Sequence, residues 1–492
     1  VDPVPGSLFV AKRCLAPLPS PSSGRGTRPP RHDTGRRRPI GAVAAHSPPP
    51  RAPAPMGRRW AAYEQEADQK AGAPGRHPAH AYNLSMSATV SRWLPVVLWI
   101  AVIYTTIGFV RDLREWYVAR WDPVFIAWAV AAVLVIAAGA AAIVLRNRVP
   151  DLRPGAGWWL AGLTLVLVGW TFSLRRSPEE AVHFIEYGAL ALLLHRALRP
   201  VVPGALVFVA GALVGAIVGT TDEVIQWFSP SRYWDWRDIV LNTGAGGVVQ
   251  LALWRVLPGG ADPTSPRSLR IVLRLAAAQL LLLTLCLANT PERVARYAPA
   301  LPGFDHLTNP DNPMAEYGHL HRIPDLGSFK SRLDLPELEA QDRERAAEVA
   351  RLVDDARHTY GVFLRSWPVN DDPFTYEMRV HLFARDRNLG KARRRGLDGP
   401  VAVEQLTTSW HENRLVETVF GRSLARSSYV WPVELRQRLD ADRDRGVVFH
   451  SAAASHLISF ASESTLRLIL LTLVAGSIAA DLRLRSTDGR RP

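Results

Sequence analysis

The chain has 492 residues and a net charge of +14, and its apolar residues are gathered into long runs from Trp93 to Thr290 and again near Thr465 to Ala480. Runs of about 18 or more apolar residues are long enough to cross a hydrocarbon core, which excludes a wholly soluble globular protein. The charge does not indicate nucleic acid. Residues 1–85 hold 13 Lys/Arg against 5 Asp/Glu, and the rest of the surplus sits largely in short loops between apolar runs, as membrane topology requires.

Residues 1–60 contain 13 prolines and almost no periodic apolar pattern. Such a segment buries too little surface to offset its ordering entropy, so 1–85 is read as a disordered basic tail or an over-extended start before Met86. Eight membrane helices are predicted, near 93–110, 123–145, 157–172, 181–198, 203–221, 238–257, 270–289 and 464–480. Residues 86–289 would hold seven of them, and 464–492 the last with a basic tail. Arginines such as Arg146, Arg148, Arg196, Arg199 and Arg255 favour a cytoplasmic N-terminus and C-terminus. Arg111, Arg114, Arg120, Arg175 and Arg176 run against that orientation.

Residues 290–463 then form an extracytoplasmic α+β domain. Val349, Val353, Ala356 and Tyr360 recur at helical spacing, predicting a helix over about 337–360. Alternation of Tyr376, Met378, Val380 and Leu382 predicts a strand, and 433–441 a further helix. The fold class is thus an all-α polytopic membrane bundle of about eight helices with a small α+β domain. Cys14 and Cys286 are the only cysteines, one in the tail and one in an apolar helix, so no disulfide between them is expected.

The chemistry-bearing residues lie from Ala181 to Gly247. His183, Glu186 and Tyr187 share one helix face at i, i+3 and i+4. They could share a proton, bind a divalent metal, position a substrate or brace a neighbouring helix. Asp222 and Glu223 adjoin, with Gln226 a turn on and Arg232 beyond. Paired carboxylates at a low-dielectric boundary suit acid–base work, and equally suit contact with Arg232 or Arg237. Asp238, Asn242, Gly246 and Gln250 make a stripe on one helix, read for Gln250 as interhelical packing. Trp227, Phe228, Tyr233, Trp234 and Trp236 read as an interfacial aromatic belt or an apolar approach. His319 and His321 form an HxH with no third spaced ligand, so neither a metal nor a cofactor is predicted.

Three pieces together resemble the VanZ-like family over roughly 90–257: His183-Phe184-x-x-Tyr187, then Asp222-Glu223-x-x-Gln226-x-Phe228-x-Pro230-x-Arg232, then Asp238-x-x-x-Asn242. Two departures bear on the site's charge: Glu179 and Glu180 stand where the family often has Lys, and Ser231 where it tends to have Gly. The resemblance implies a bacterial inner-membrane protein, in a family whose founding member is associated with teicoplanin resistance. The expectation is an outward-facing polar cluster that binds or modifies a lipid-linked envelope precursor or a glycopeptide-like compound, with membrane lipid around it. The alternative is a non-enzymatic anchor presenting 290–463 to a protein partner. No complete catalytic motif assigns an enzyme activity.

Overall fold

The computed structural model describes residues 78–488 apart from 119, 122–123, 150, 175–177, 231, 233, 258–264, 309–312, 356, 358 and 395–398. The reading of the N-terminal tail falls outside these residues up to 77.

Eight apolar helices follow the predicted order: α1 (Pro78–Val118), α2 (Val124–Arg148), α3 (Ala156–Ser173), α4 (Val182–Leu198), α5 (Leu206–Trp227), α6 (Trp236–Val256), α7 (Pro266–Ala288) and a last helix, Glu463–Asp488. Among the described residues, seven are long and apolar enough to cross a membrane. The exception is α4, which has 17 residues. The chain is a multi-pass membrane protein.

Local signals set the helix starts. Ser265 caps α7 by accepting from Ser268 N at 3.1 Å, with Pro266 in the first turn, and Asp235 caps α6 by accepting from Arg237 N at 2.9 Å. The bundle core is built on α4, where Phe184, Tyr187, Leu190 and Leu194 are buried against residues such as Val130, Leu167, Val218 and Leu241. Glycines let helices close in. A Cβ on Gly219 of α5 would lie 2.8 Å from Asn242 Cβ, and one on Gly244 of α6 would lie 2.6 Å from the Trp170 ring. On the outside Trp158 is 85% exposed and Ile136 70% exposed, a surface that only hydrocarbon would cover at little cost.

Between α7 and the last helix lie α8 (Pro291–Tyr297), the hairpin β1 (His319–Ile323) and β2 (Gly327–Ser331), α9 (Leu335–Glu344), α10 (Ala346–Asp354), α11 (Tyr360–Ser366), α12 (Pro373–Arg394), α13 (Pro400–Val419), α14 (Gly421–Leu424) and α15 (Val433–Asp442). The last membrane helix is α16 (Glu463–Asp488), which packs along α7 with Arg274 Nε 3.1 Å from Asp481 Oδ2. The hairpin is antiparallel, pairing His321 with Phe329, and its turn carries Asp325 and Gly327 at positive φ. It is the whole β content among the described residues.

Two expectations are corrected here. Residues 376–382 are helical, in α12. Phe374, Met378 and Leu382 enter one apolar core while Tyr376 and Val380 enter another. The apparent alternation is two i, i+4 stripes on opposite faces of a helix buried on both sides. The helix expected over 337–360 breaks at Arg345, whose φ of −111° ends α9 before α10 begins. Arg345 bonds Gln341 and Glu348 on its own segments and Asp372 ahead of α12, fixing the bend. The helix expected near 433–441 is α15.

Candidate functional site

The site lies where α4 and α6 begin and α5 ends. A 3₁₀ turn at Pro178–Ala181 leads into α4 and places His183, Glu186 and Tyr187 on its first turns. His183 Nδ1 is 3.1 Å from Glu186 Oε2, and both side chains are half-buried. Tyr187 is buried and donates its hydroxyl to Asp222 Oδ2 at 3.1 Å.

The last turns of α5 carry Asp222, Glu223 and Gln226, all buried. Gln226 donates through Nε2 to Glu223 Oε1 at 3.1 Å. Its Oε1 accepts from Arg232 Nε at 2.9 Å and also from an Arg232 Nη. Glu223 Oε2 accepts from the backbone N of Asp235, the α6 cap, at 3.2 Å. One buried glutamate therefore ties the α5 terminus to the start of α6 through the returning loop. Burial of a charge is costly unless it is paired and hydrogen-bonded, and this loop supplies the partners.

Asp238 stands on the first turn of α6, within charge–charge reach of His183, Arg232 and Arg237. Arg237 pairs with Glu180 at 3.1 Å. One turn deeper, Asn242 is fully buried, its Cβ against Gly219, and the Tyr187 ring also borders that glycine. All nine residues singled out from the sequence, His183, Glu186, Tyr187, Asp222, Glu223, Gln226, Arg232, Asp238 and Asn242, thus meet at one end of the bundle. Gln250 stands apart, donating to Ala191 O at 2.8 Å as an interhelical bond.

Four contributors lie outside the nine residues singled out from the sequence, although Glu180 already stands out there for its charge. Trp99 and Tyr104 of α1 bond the backbone of Glu186 and Val218 at 2.9 and 3.1 Å, bracing the cluster from behind. Glu180 and Asp235 supply further carboxylates. Asp235 was legible as a helix cap, one residue ahead of an apolar run; the α1 contacts left no local trace.

The segment after α7 covers this end. Trp227, Trp234, Ile239 and Cys286 form one core with Val294, Ala298, Leu307 and Met314. Trp236 Nε1 donates to Met314 O at 2.8 Å, and Phe228 O accepts from His306 Nε2 at 3.1 Å. Trp227 and Trp234 are 1% and 5% exposed, so they are seam residues rather than the belt expected of them. Tyr233 lies outside the described residues. Phe228 remains 38% exposed beside Phe304, at 5.6 Å between ring centres.

The HxH lies on β1. His321 Nε2 donates to Leu333 O at 2.9 Å, and His319 stacks beside it. Among the described residues no three His, Cys, Asp or Glu side chains converge on one point as a metal set.

The arrangement can hold a polar group, share a proton across His183 and Glu186, or lock helices. Among the described residues of the cluster, none is a hydroxyl or thiol nucleophile hydrogen-bonded to a histidine base. A family model described as VanZ/LLP1 matches residues 125–258, a stretch that takes in α2 to α6 and the whole polar cluster. No curated protein and no solved structure matches the chain.

Proposed function

We propose, for a multi-pass membrane protein that is VanZ-like over residues 125–258, that the cluster is a binding site for a lipid-linked or glycopeptide-like compound of the bacterial envelope. One observation carries the reading: three separate helix ends and the loop holding Arg232 gather the nine polar residues at one end of the bundle, with His183 and Glu186 half-buried and Asp222 and Asn242 buried. A cluster serving only helix packing would be expected to spread through the depth of the bundle, as the Gln250 bond does. Ionisable groups held in this position are a functional-site hypothesis by default.

Phe228, exposed just after α5 and beside Phe304, adds apolar surface near the cluster that suits a lipid chain or an aromatic peptide. The reading is extended to glycopeptide tolerance only through the family. The test is equilibrium binding of a glycopeptide and of a lipid-linked precursor to the purified full-length protein. Binding by the wild type, weakened in Glu223→Gln and Arg232→Gln that still fold, supports the reading; equal binding by all three sinks it.

A second reading, an anchor that presents the 290–463 region, is favoured by a specific set of contacts. Tyr317 bonds Leu287 O at 2.9 Å, and Arg293 pairs with Glu463 at 2.6 Å, joining the region to both flanking membrane helices. Under it, substitutions in the cluster change protein level and nothing else.

A further inference from the structure

We propose that the group received by the cluster is a cationic amine, whose ammonium hydrogens meet Asp222 Oδ1 and Asn242 Oδ1. The inference rests on the reading of the cluster as a ligand site and names the chemistry of what enters it.

Charge decides the sign. Among the described residues, these helix ends and the loop between them carry the carboxyls of Glu180, Glu186, Asp222, Glu223, Asp235 and Asp238 beside the cations Arg232 and Arg237 and the imidazole of His183. Arg237 is taken by Glu180, and Arg232 by Gln226 with Asp222 and Asp238 in reach of its charge. Arg237 is thus paired, while Arg232 donates to an amide oxygen, so carboxylates outnumber cations at these helix ends. An anion entering here would add repulsion to carboxylates in a low-dielectric setting, while a cation would relieve it.

Orphaned acceptors decide the place. Asp222 is 1% exposed; its Oδ2 has the Tyr187 hydroxyl, and its Oδ1 has no hydrogen-bond partner. Asn242 is fully buried, and neither its Oδ1 nor its Nδ2 has one. A buried polar atom left unmatched is costly, and such atoms at a candidate site point to a missing ligand or water. The two side chains are neighbours through a shared contact: the Tyr187 ring and Asn242 Cβ both border Gly219, and the same tyrosine bonds Asp222.

Geometry favours an ammonium over a bare metal ion. No three ligating side chains converge among the described residues. An ammonium group offers directional donors, two of which one carboxylate oxygen and one amide oxygen accept, with the Tyr187 ring beside them for a cation–π contact.

The probes are octylammonium and octyl phosphate, equal in chain length and opposite in charge, titrated against the full-length protein in detergent micelles. The wild type should bind octylammonium at least about tenfold more tightly than octyl phosphate, and Asp222→Asn should lose about tenfold of the amine affinity. The wild-type preference needs no variant, so a poorly folding Asp222→Asn leaves the proposal testable. Equal or tighter binding of octyl phosphate, abolished by Arg232→Gln, overturns the amine and leaves the ligand-site reading standing. Unchanged amine affinity in folded Asp222→Asn overturns the amine site alone. Binding of neither probe overturns the amine, while the ligand-site reading stands or falls on the titrations with a glycopeptide and a lipid-linked precursor.

Discussion

Tyr187 of α4 donates its hydroxyl to Asp222 Oδ2 of α5 at 3.1 Å, and both side chains are buried within the bundle. This bond joins the helix that carries the rim of the cluster to the helix that carries its floor. Tyr187→Phe keeps the ring and its packing and removes only the donor, leaving the Asp222 carboxylate with no partner on either oxygen. The expected loss is about 1–2 kcal/mol of stability, read as a lower unfolding temperature of the purified protein. An unfolding temperature equal to the wild type would show that the bond is not made.

The close approach of α5 and α6 makes a steric prediction. Gly219→Ala would place a methyl group 2.8 Å from Asn242 Cβ, an atom fixed to its backbone, so the helices must part. A cost of about 1–3 kcal/mol is expected. Gly139→Ala and Gly162→Ala meet nothing within 4 Å and should be tolerated. Measuring all three by thermal unfolding separates a packed seam from general intolerance of change.

Acid should weaken the region between α7 and α16 through Glu316. Burial alone would raise its carboxyl, but Arg332 and His456 outweigh burial and hold it at about 2, below the usual range. A carboxyl depressed in the folded state contributes stability that is complete above its unfolded value of about 4.3 and fades as pH falls toward the folded value. Thermal unfolding of the full-length protein should therefore decline steeply between about pH 4.5 and 2.5, and Glu316→Gln should flatten that decline. Parallel curves for the two proteins would contradict the assignment.

The packing of the segment after α7 on this end of the bundle hangs in part on Trp236. Trp236→Phe removes the donor to Met314 O while leaving an aromatic ring in the seam. Hydrogen exchange should rise over residues 291–308 with α4 to α6 unchanged. Exchange that rises throughout the bundle would instead make Trp236 a core residue of the membrane helices.

The membrane helices were legible because lipid forces length and hydropathy into the sequence. The meeting of Asp222, Glu223 and Asp238 was legible for a related reason, since carboxylates interrupting apolar helices must find partners. What local pattern hid was anything decided by two-sided burial. Residues 374–382 alternate like a strand because both faces of α12 are covered, so the apolar stripe that marks a surface helix is doubled. Arg345 breaks a predicted helix through a bond to Asp372, 27 residues away. Trp99 and Tyr104 reach the site from α1 across more than 80 residues of chain, and no spacing rule reports such contacts.

The central claim is that the cluster works as a site and does not only hold helices together. The most direct measurement replaces His183, Glu186 and Arg232 singly, by Ala, Gln and Gln, in cells whose glycopeptide susceptibility depends on the protein, and records membrane protein level alongside susceptibility. The half-buried positions of these side chains predict normal levels with lost tolerance. Tolerance that persists at normal levels, or falls only in step with the amount of protein, would contradict the claim.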